Sequence, residues 1–251
     1  MKDYIGTVVE NKKIAENIFE ITFDLGETAT VRAGQFGDIL LGGSHLLRRP
    51  IAICKVDGAK VTYCYQLKGE GTHLLSAVKA GEKLNVLMPL GNGFYIPENE
   101  KKVALVGGGV GIFPLISVLR EYNTNKEISA YIGFRNKGAV CGLDEFEKAA
   151  KFVAVTDDGS YGEKMNSVQA FVADLKKGYR PDVVLSCGPT PMLRALKAVV
   201  EEENIPCYVS LEERMGCGIG ACLVCVCNLT NGERARVCKD GPVFNAKDVT
   251  L

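Results

Sequence analysis

Four cysteines near the end of the chain constrain its fold more than any other feature. They are spaced C-x4-C-x2-C-x12-C and are Cys217, Cys222, Cys225 and Cys238. The first two intervals match the plant-type ferredoxin arrangement, in which four thiolates hold a [2Fe–2S] cluster. Gly216, Gly218 and Gly220 permit the positive φ angles that a short loop needs to wrap around a cluster. The last forty residues are therefore predicted to form a cluster-binding subdomain.

A zinc site is the alternative for these cysteines, because modules with four thiolate ligands are common. Zinc ribbons normally use two C-x2-C pairs, however, and here only Cys222 and Cys225 form one. Cys227 is a fifth candidate, and the direction of its side chain depends on a local backbone that the sequence does not specify. Four isolated cysteines are expected in the core: Cys54, Cys64, Cys141 and Cys207.

The size and charge of the chain indicate an ordinary globular protein. Its 251 residues exceed the usual size of one hydrophobic core, which favours two modest domains and an appendage. The 30 Lys and Arg residues balance the 30 Asp and Glu residues, so neither nucleic acid nor an anionic membrane is an expected partner. The N-terminus lacks the apolar core of a secretion signal, and no stretch reaches the roughly 20 apolar residues that a bilayer span needs. A cytoplasmic protein is predicted.

The pattern of apolar and polar residues changes near residue 100. Residues 5–90 contain short segments with period-two alternation, such as 18–23 and 60–65, which predict a small antiparallel barrel. From residue 103 onward, apolar strands alternate with helical stretches, as in a doubly wound parallel sheet. The helices are predicted at 112–122, 144–150, 167–177 and 192–203. The predicted domains are a barrel at 1–99, an α/β domain at 100–210 and a cluster subdomain at 211–251.

Two loops in the second half have features of nucleotide sites. Gly107, Gly108, Gly109 and Gly111 follow an apolar strand and precede a helix, where backbone N–H groups can meet a pyrophosphate. The pattern G-x-G-x-x-P departs from the dinucleotide fingerprint, so a purely structural turn remains an alternative. Cys187, Gly188 and Pro189 also end an apolar strand and open a helix. Two such loops on one sheet edge predict a cofactor crevice.

In the barrel, Arg49 stands beside the rigid Pro50, and Gly71-Thr72 offers small residues and N–H groups for a second phosphate contact. Neither is specific by itself, since lone arginines are mostly surface charges and Gly71-Thr72 could end a hairpin. Their order along the chain is more informative: an arginine-proline strand, a Gly-Thr loop and then a glycine-rich loop.

That order resembles the ferredoxin–NADP reductase superfamily. With Glu212-Glu213-Arg214-Met215 before the first cysteine and Cys238-Lys239-Asp240-Gly241-Pro242 at the last, the chain is similar over its whole length to the electron-transfer subunits of class 1B dihydroorotate dehydrogenases. The resemblance implies FAD in the barrel, a [2Fe–2S] cluster in the tail and NAD+/NADH as the nucleotide. It also implies an FMN-containing catalytic subunit as partner, in a two-plus-two heterotetramer serving de novo pyrimidine (UMP) biosynthesis.

The resemblance also implies which residues line the flavin. They are Arg49, Pro50, Ile51, Ala52, Cys64, Tyr65, Gln66, Gly71 and Thr72. The family usually has a hydroxyl residue where this chain has Ala52, so one hydrogen bond to FAD, worth about 0.5–1.5 kcal/mol, is expected to be absent.

The implied route runs from the partner's FMN through the cluster and FAD to NAD+, and it needs no general acid or base in this chain. His45 and His73 are expected to be structural or cofactor-neighbouring, and Asp157 and Asp158 to lie in a solvated turn or near the nicotinamide. Two rival functions remain open. One is the small subunit of a related NAD(P)H:ferredoxin or sulfide oxidoreductase, and the other is a zinc-bearing interaction module.

Overall fold

A computed structural model describes residues 1–43 and 46–251, so His45 lies outside the described residues. The first part of the chain is a closed barrel of six antiparallel strands in the order β1-β2-β5-β4-β3-β6, as predicted. The strands are β1 (Lys2–Ala15), β2 (Ile18–Asp24), β3 (Phe36–Leu40), β4 (Arg49–Asp57), β5 (Lys60–Gln66) and β6 (Lys83–Leu90). Alternation places Ile21, Phe23 and Tyr63 inside the barrel, each fully buried.

The Gly71-Thr72 segment is the first turn of a helix, α1 (Glu70–Ala77), which the strand-like sequence pattern did not predict. Thr72 holds this turn: its Oγ1 accepts hydrogen bonds from the N–H of Lys68 at 2.9 Å and of Gly69 at 3.2 Å. Glycine disfavours helices, so the two glycines at the start of the segment hide the helix from a propensity argument.

The second part contains a six-stranded sheet in the order β14-β11-β10-β7-β8-β9, in which the edge strand β14 (Val243–Asn245) comes from the end of the chain. Its parallel strands are β7 (Lys102–Gly108), β8 (Glu127–Phe134), β9 (Lys151–Thr156), β10 (Val183–Cys187) and β11 (Cys207–Ser210). The helices are α2 (Ile112–Tyr122), α3 (Leu143–Phe146), α4 (Ser167–Lys176) and α5 (Thr190–Glu202). One apolar cluster joins the sheet to α2 and α3, and another joins it to α4 and α5, which confirms the doubly wound architecture.

Helix α3 is shorter than the predicted 144–150, because the chain turns after Phe146 and re-enters the sheet at Lys151. The longest helix, α5, has 13 residues. Among the helices of the described residues, none combines the length and the apolar character required to cross a membrane.

The C-terminal segment is joined to both larger parts. It forms a hairpin of β12 (Val226–Asn228) and β13 (Arg234–Arg236), and its last strand, β14 (Val243–Asn245), pairs antiparallel with β11 of the α/β sheet. Cys225 and Cys238 pack in one apolar cluster with Phe36 and Leu90 of the barrel. This packing places the cysteines directly against the barrel wall.

The barrel and the α/β domain are held together through α2. Arg120 Nη2 lies 2.6 Å from Asp57 Oδ1 of the barrel, and its Nη1 lies 3.3 Å from Glu145. Ser117 Oγ accepts a hydrogen bond from the N–H of Gly34 at 3.0 Å. These polar contacts fix the face of the barrel that the α/β domain covers.

Candidate functional site

The four cysteines of the C-terminal motif lie together as two pairs. Cys217 and Cys222 are in side-chain hydrogen-bond contact, and so are Cys225 and Cys238. The first pair is nearer the surface, with Cys222 exposed, whereas Cys225 and Cys238 are both 2% exposed. The chain therefore presents one outer and one inner pair of thiols.

Backbone N–H groups converge on the outer pair. The amides of Ala221 and Cys222 donate to Cys217 Sγ at 3.2 and 3.4 Å. Burial raises the pKa of the Cys217 thiol, but hydrogen bonds from the amides of Ile219, Cys222 and Ala221 and from the Cys222 thiol outweigh burial and lower that pKa to about 6. These donors stabilise the thiolate, the form that binds metal.

The backbone around these thiols contains several residues with positive φ angles, which a short loop needs to wrap around a cluster. Gly218 and Gly220 have φ angles of +68° and +85°. Leu223 also lies in the left-handed region, at φ +60°, where an L side chain is disfavoured. A Cβ added to Gly216 would lie 3.1 Å from Cys222 Sγ. The loop is thus wound closely around its own sulfur atoms.

The pairwise arrangement bears on which metal group would fit. Among the residues that the structure describes, no three His, Cys, Asp or Glu side chains converge closely enough to hold a single metal ion. A mononuclear zinc site needs four ligands around one ion. A [2Fe–2S] cluster with four thiolates takes two thiolates on each iron. Two thiol pairs, with N–H donors directed at sulfur, fit the two-iron cluster.

Cys227 lies in β12, where it is paired with Ala235, and it packs in the same apolar cluster as Cys225 and Cys238. It is 8% exposed and lines a neighbouring cleft. Because Cys227 is a cysteine close to the pairs but outside the C-x4-C-x2-C-x12-C motif, it is a suitable comparison residue for the four cysteines.

That cleft has a volume of about 800 Å³, and three parts of the chain form its walls. The barrel contributes Arg48, Arg49 and Pro50, the α/β domain contributes Gly188 and Pro189, and the segment leading into the cysteines contributes residues 211–215. Lys68 also lines the cleft, and its Nζ lies 3.3 Å from Glu212. Lys68 and the 211–215 segment were not among the predicted site residues, although the E-E-R-M run directly before Gly216-Cys217 is a visible signal.

Two predicted flavin residues, Arg49 and Pro50, line this cleft, and Arg49 also contacts the predicted Gly71-Thr72 turn. The side chain of Arg49 lies over Gly71, where an added Cβ would be 1.8 Å from Arg49 Nε. Thr72 holds the adjoining turn. A cationic side chain over a glycine at a helix N-terminus is suited to a phosphate group.

The other predicted flavin residues divide between the two faces of the barrel wall. Ile51 and Tyr65 pack in the barrel core, and the Tyr65 hydroxyl donates to Asn11 Oδ1 at 3.1 Å. Cys64 belongs instead to the cluster shared with the α/β domain. Gln66 ends β5 and is half-buried, as is Ala52. Tyr65 can therefore offer only its main chain to the outer face.

The two predicted nucleotide loops are in contact. Strand β7 ends at Gly108, a 3₁₀ turn covers Gly109–Gly111, and α2 follows. A Cβ on Gly111 would lie 2.4 Å from the carbonyl oxygen of Cys187. Burial raises the pKa of the Cys187 thiol to about 12, so this thiol stays protonated at neutral pH.

The remaining candidates lie apart from these contacts. His73 is exposed on α1, and its Nδ1 lies 3.0 Å from the carbonyl oxygen of Gly69. Asp157 and Asp158 are exposed in the turn after β9, where Asp158 accepts a hydrogen bond from Ser160 N–H at 2.9 Å. Four cysteines expected in the core, Cys54, Cys64, Cys141 and Cys207, are all buried.

Known proteins resemble the chain in both sequence and structure. The family model described as the iron-sulfur cluster binding domain of dihydroorotate dehydrogenase B matches residues 212–250. One similar solved structure is an NADH-dependent reduced ferredoxin-NADP oxidoreductase, described in work on flavin-based electron bifurcation. It is 27% identical in sequence and superposes with a TM-score of 0.86, and the match covers 98% of this chain and 90% of that protein. The cytochrome b5 reductase domain of Ulva prolifera nitrate reductase is 18% identical and superposes with a TM-score of 0.67. The match covers 81% of this chain and 94% of that domain, and it shows the fold alone.

Full-length relatives are more similar still. The dihydroorotate dehydrogenase B (NAD+) electron transfer subunit of Bacillus pumilus is 42% identical, with 100% of this chain and 99% of the relative covered. The protein of the same name from Streptococcus mutans is 39% identical, with 98% and 97% covered. The chain therefore belongs to the family of dihydroorotate dehydrogenase B electron transfer subunits.

Proposed function

We propose that this chain transfers electrons between a catalytic dihydroorotate dehydrogenase subunit and NAD+, with one [2Fe–2S] cluster and FAD as its resident cofactors. The proposed partner carries FMN and joins two copies of this chain in a two-plus-two heterotetramer. The proposed setting is de novo pyrimidine synthesis in the cytoplasm. The proposed domains are residues 1–99, 100–210 and 211–251.

One observation carries the proposal: the cleft of about 800 Å³ is walled by the barrel, the Gly188-Pro189 loop and the segment that leads into the cysteine loop. A cofactor held there would lie beside both the cysteine loop and the nicotinamide loops. Electron transfer requires the flavin, the cluster and the nicotinamide to lie close together. A cleft shared by the three parts of the chain would bring them close.

We assign the predicted residues to the two nucleotide cofactors according to their chemistry and position. Arg49, with the turn at Gly71 and Thr72, would hold the flavin pyrophosphate, and β4 and β5 would line the ring through Pro50, Ile51, Ala52, Cys64, Tyr65 and Gln66. The nicotinamide nucleotide would rest on the loops of Gly107, Gly108, Gly109 and Gly111 and of Cys187, Gly188 and Pro189. When bound, FAD supplies the exchange between one-electron carriers and the two-electron nicotinamide.

No side chain of this chain is assigned as a general acid or base. Cys187 lies at the nicotinamide edge, but burial keeps its thiol protonated, so it serves as a neutral wall and not as a nucleophile. The role of the protein is then to bind, orient and insulate its cofactors.

The outer thiol pair indicates where the partner would dock. Ile219, Leu223 and Val224 lie within three residues of Cys222 in the sequence and are 44%, 63% and 56% exposed. A cluster of exposed apolar side chains beside a metal loop is typical of a protein–protein contact. We place the catalytic subunit over this surface, so that Cys217 and Cys222 would hold the cluster on the partner's side and Cys225 and Cys238 on the barrel side.

The proposal is tested by comparing Cys222→Ser with Cys227→Ser in anaerobically purified protein. We expect Cys222→Ser to lose acid-labile sulfide and the cluster absorption, whereas Cys227→Ser keeps both and FAD. Co-expression with the catalytic subunit should give dihydroorotate-dependent NADH formation in the wild type and in Cys227→Ser. Equal iron content in the two variants, or zinc in place of iron and sulfide, would refute the assignment.

A further inference from the structure

Asp38 is a buried carboxylate for which the cofactor sites proposed above give no role. It lies in β3 and is 1% exposed. Within the described part of the chain its Oδ1 has no hydrogen-bond partner. Burying a carboxylate without full hydrogen bonding is costly, so such a group calls for an explanation beyond packing.

The other oxygen of this carboxylate touches the cysteine loop. A Cβ added to Gly218 would lie 2.5 Å from Asp38 Oδ2, and Gly218 directly follows Cys217. Gly218 also has a φ of +68°, so the backbone turns where it passes the carboxylate. Asp38 therefore sits beneath the loop that carries the outer thiol pair.

The same residue adjoins the flavin strand. Asp38 is paired with Pro50 of β4, and its backbone carbonyl accepts a hydrogen bond from Arg48 Nη1 at 3.1 Å. Burial raises the pKa of the Asp38 carboxyl to about 6, although the charges of Arg48 and Arg49 lower it. At neutral pH the ionised form predominates, so a negative charge stands between the flavin strand and the cysteine loop.

We propose that Asp38 is an electrostatic positioning residue that lowers the reduction potential of the cluster held by the neighbouring cysteines. This inference rests on the proposed function, because it presupposes the cluster. Reduction by one electron adds negative charge to the cluster, and a buried carboxylate nearby opposes that addition, since little water screens it. Cluster potentials respond to net charge and solvent exposure in this way.

The test compares the midpoint potential of the cluster in the wild type, Asp38→Asn and Asp38→Ser. The potential is measured by a redox titration of the holoprotein, in which electron paramagnetic resonance reports the reduced cluster. Asp38→Asn keeps the shape and removes the charge. We expect the ratio of reduced to oxidised cluster at a fixed potential to rise at least threefold, which is about 28 mV for a one-electron couple. Asp38→Ser removes the same charge with less bulk and should shift in the same direction.

Asp3→Asn is the matched control, because Asp3 is exposed in β1 and lies 3.4 Å from the same Arg48. Its cluster potential should equal that of the wild type. The inference is overturned if the Asp38 variants keep iron and sulfide at an unchanged potential, or if both lose the cluster, which would make Asp38 a packing residue. A wild-type protein that shows no cluster signal would instead overturn the proposed function.

Discussion

The side chain of Arg49 lies over the α-carbon of Gly71, so close that a Cβ at Gly71 would be 1.8 Å from Arg49 Nε. This relationship links strand β4 to the start of α1 and places a cation at the proposed flavin site. It also explains why glycine stands at this position of a helix, where glycine is otherwise unfavourable.

Gly71→Ala should weaken FAD retention, because the methyl group displaces the guanidinium from its position. One charge-assisted hydrogen bond is worth about 1.5–3 kcal/mol, so the dissociation constant of FAD should rise by roughly tenfold or more. The measurement is flavin fluorescence during dilution of the holoprotein. Gly69→Ala is the control, since a Cβ at Gly69 has no heavy atom within 4 Å and its φ is −153°. Equal FAD loss in both variants would contradict this role of Arg49.

Gly111→Ala should impair nucleotide binding without affecting the flavin. The added Cβ would meet the backbone of Cys187 at 2.4 Å, and backbone cannot move aside as a side-chain tip can. The two loops must then separate, at a cost of about 1–3 kcal/mol. We expect the dissociation constant of NADH to rise while the FAD content of the same sample stays constant. Unchanged NADH binding would show that the contact between the loops does not shape the site.

Glu145 should make folding stability depend on pH in the acid range. This side chain is 7% exposed and forms ion pairs with Lys55, Arg120 and Lys148. Burial raises its pKa, but these cations outweigh burial and hold the pKa below its usual value. A lowered pKa in the folded state stabilises the protein above the unfolded-state pKa of about 4.3, and the stabilisation is lost as the pH falls through the folded value.

Glu145→Gln should therefore destabilise the protein at pH 7 by about 1 kcal/mol, because its three cationic partners are partly exposed and such ion pairs contribute little. The difference from the wild type should shrink as the pH falls below about 4.3. Urea unfolding followed by circular dichroism measures both effects. Glu147→Gln, at an exposed position two residues away, should match the wild type at each pH. A pH-independent difference for Glu145→Gln would contradict the ion-pair explanation.

Lys126→Met should loosen the segment between the barrel and the α/β domain. The Lys126 ammonium donates to the carbonyl oxygens of Pro97 at 2.6 Å, Glu100 at 2.7 Å and Glu98 at 3.4 Å. Methionine keeps the length of the side chain but cannot donate, so the segment should open more often. Glutamyl endopeptidase should then cut after Glu98 and Glu100 several times faster than in the wild type. Lys101→Met, at an exposed position in the same segment, should be cut at the wild-type rate.

Much of the fold could be predicted from local patterns. The alternation in 18–23 and 60–65 corresponds to β2 and β5, and the glycine-rich turn after β7 lies where the change from strand to helix indicated. Helix α1 was missed because Gly69 and Gly71 suggest a turn, whereas the hydrogen bonds of Thr72 make a helix start. Strand β14 was missed because three residues carry no usable periodicity, and its pairing with β11 is a tertiary event.

The candidate site was also predictable only in part, because some of its features are local in sequence and others are tertiary contacts. The spacing of the four cysteines is local information, so it could be read directly from the chain. The contact between Asp38 and Gly218 joins residues far apart in sequence, and no spacing rule indicates it. Cys227 is a fifth candidate in the sequence, and its pairing with Ala235 in the β12–β13 hairpin is known only from the structure.

The most direct test of the central claim is NADH formation from dihydroorotate by the complex of this chain with its catalytic subunit, compared between the wild type and Cys222→Ser. The account predicts that the wild-type complex forms NADH. It also predicts that the Cys222→Ser complex, still holding FAD and still oxidising dihydroorotate with an artificial electron acceptor, forms almost none. NADH formation at the wild-type rate by a complex that contains no iron–sulfur cluster would contradict the account.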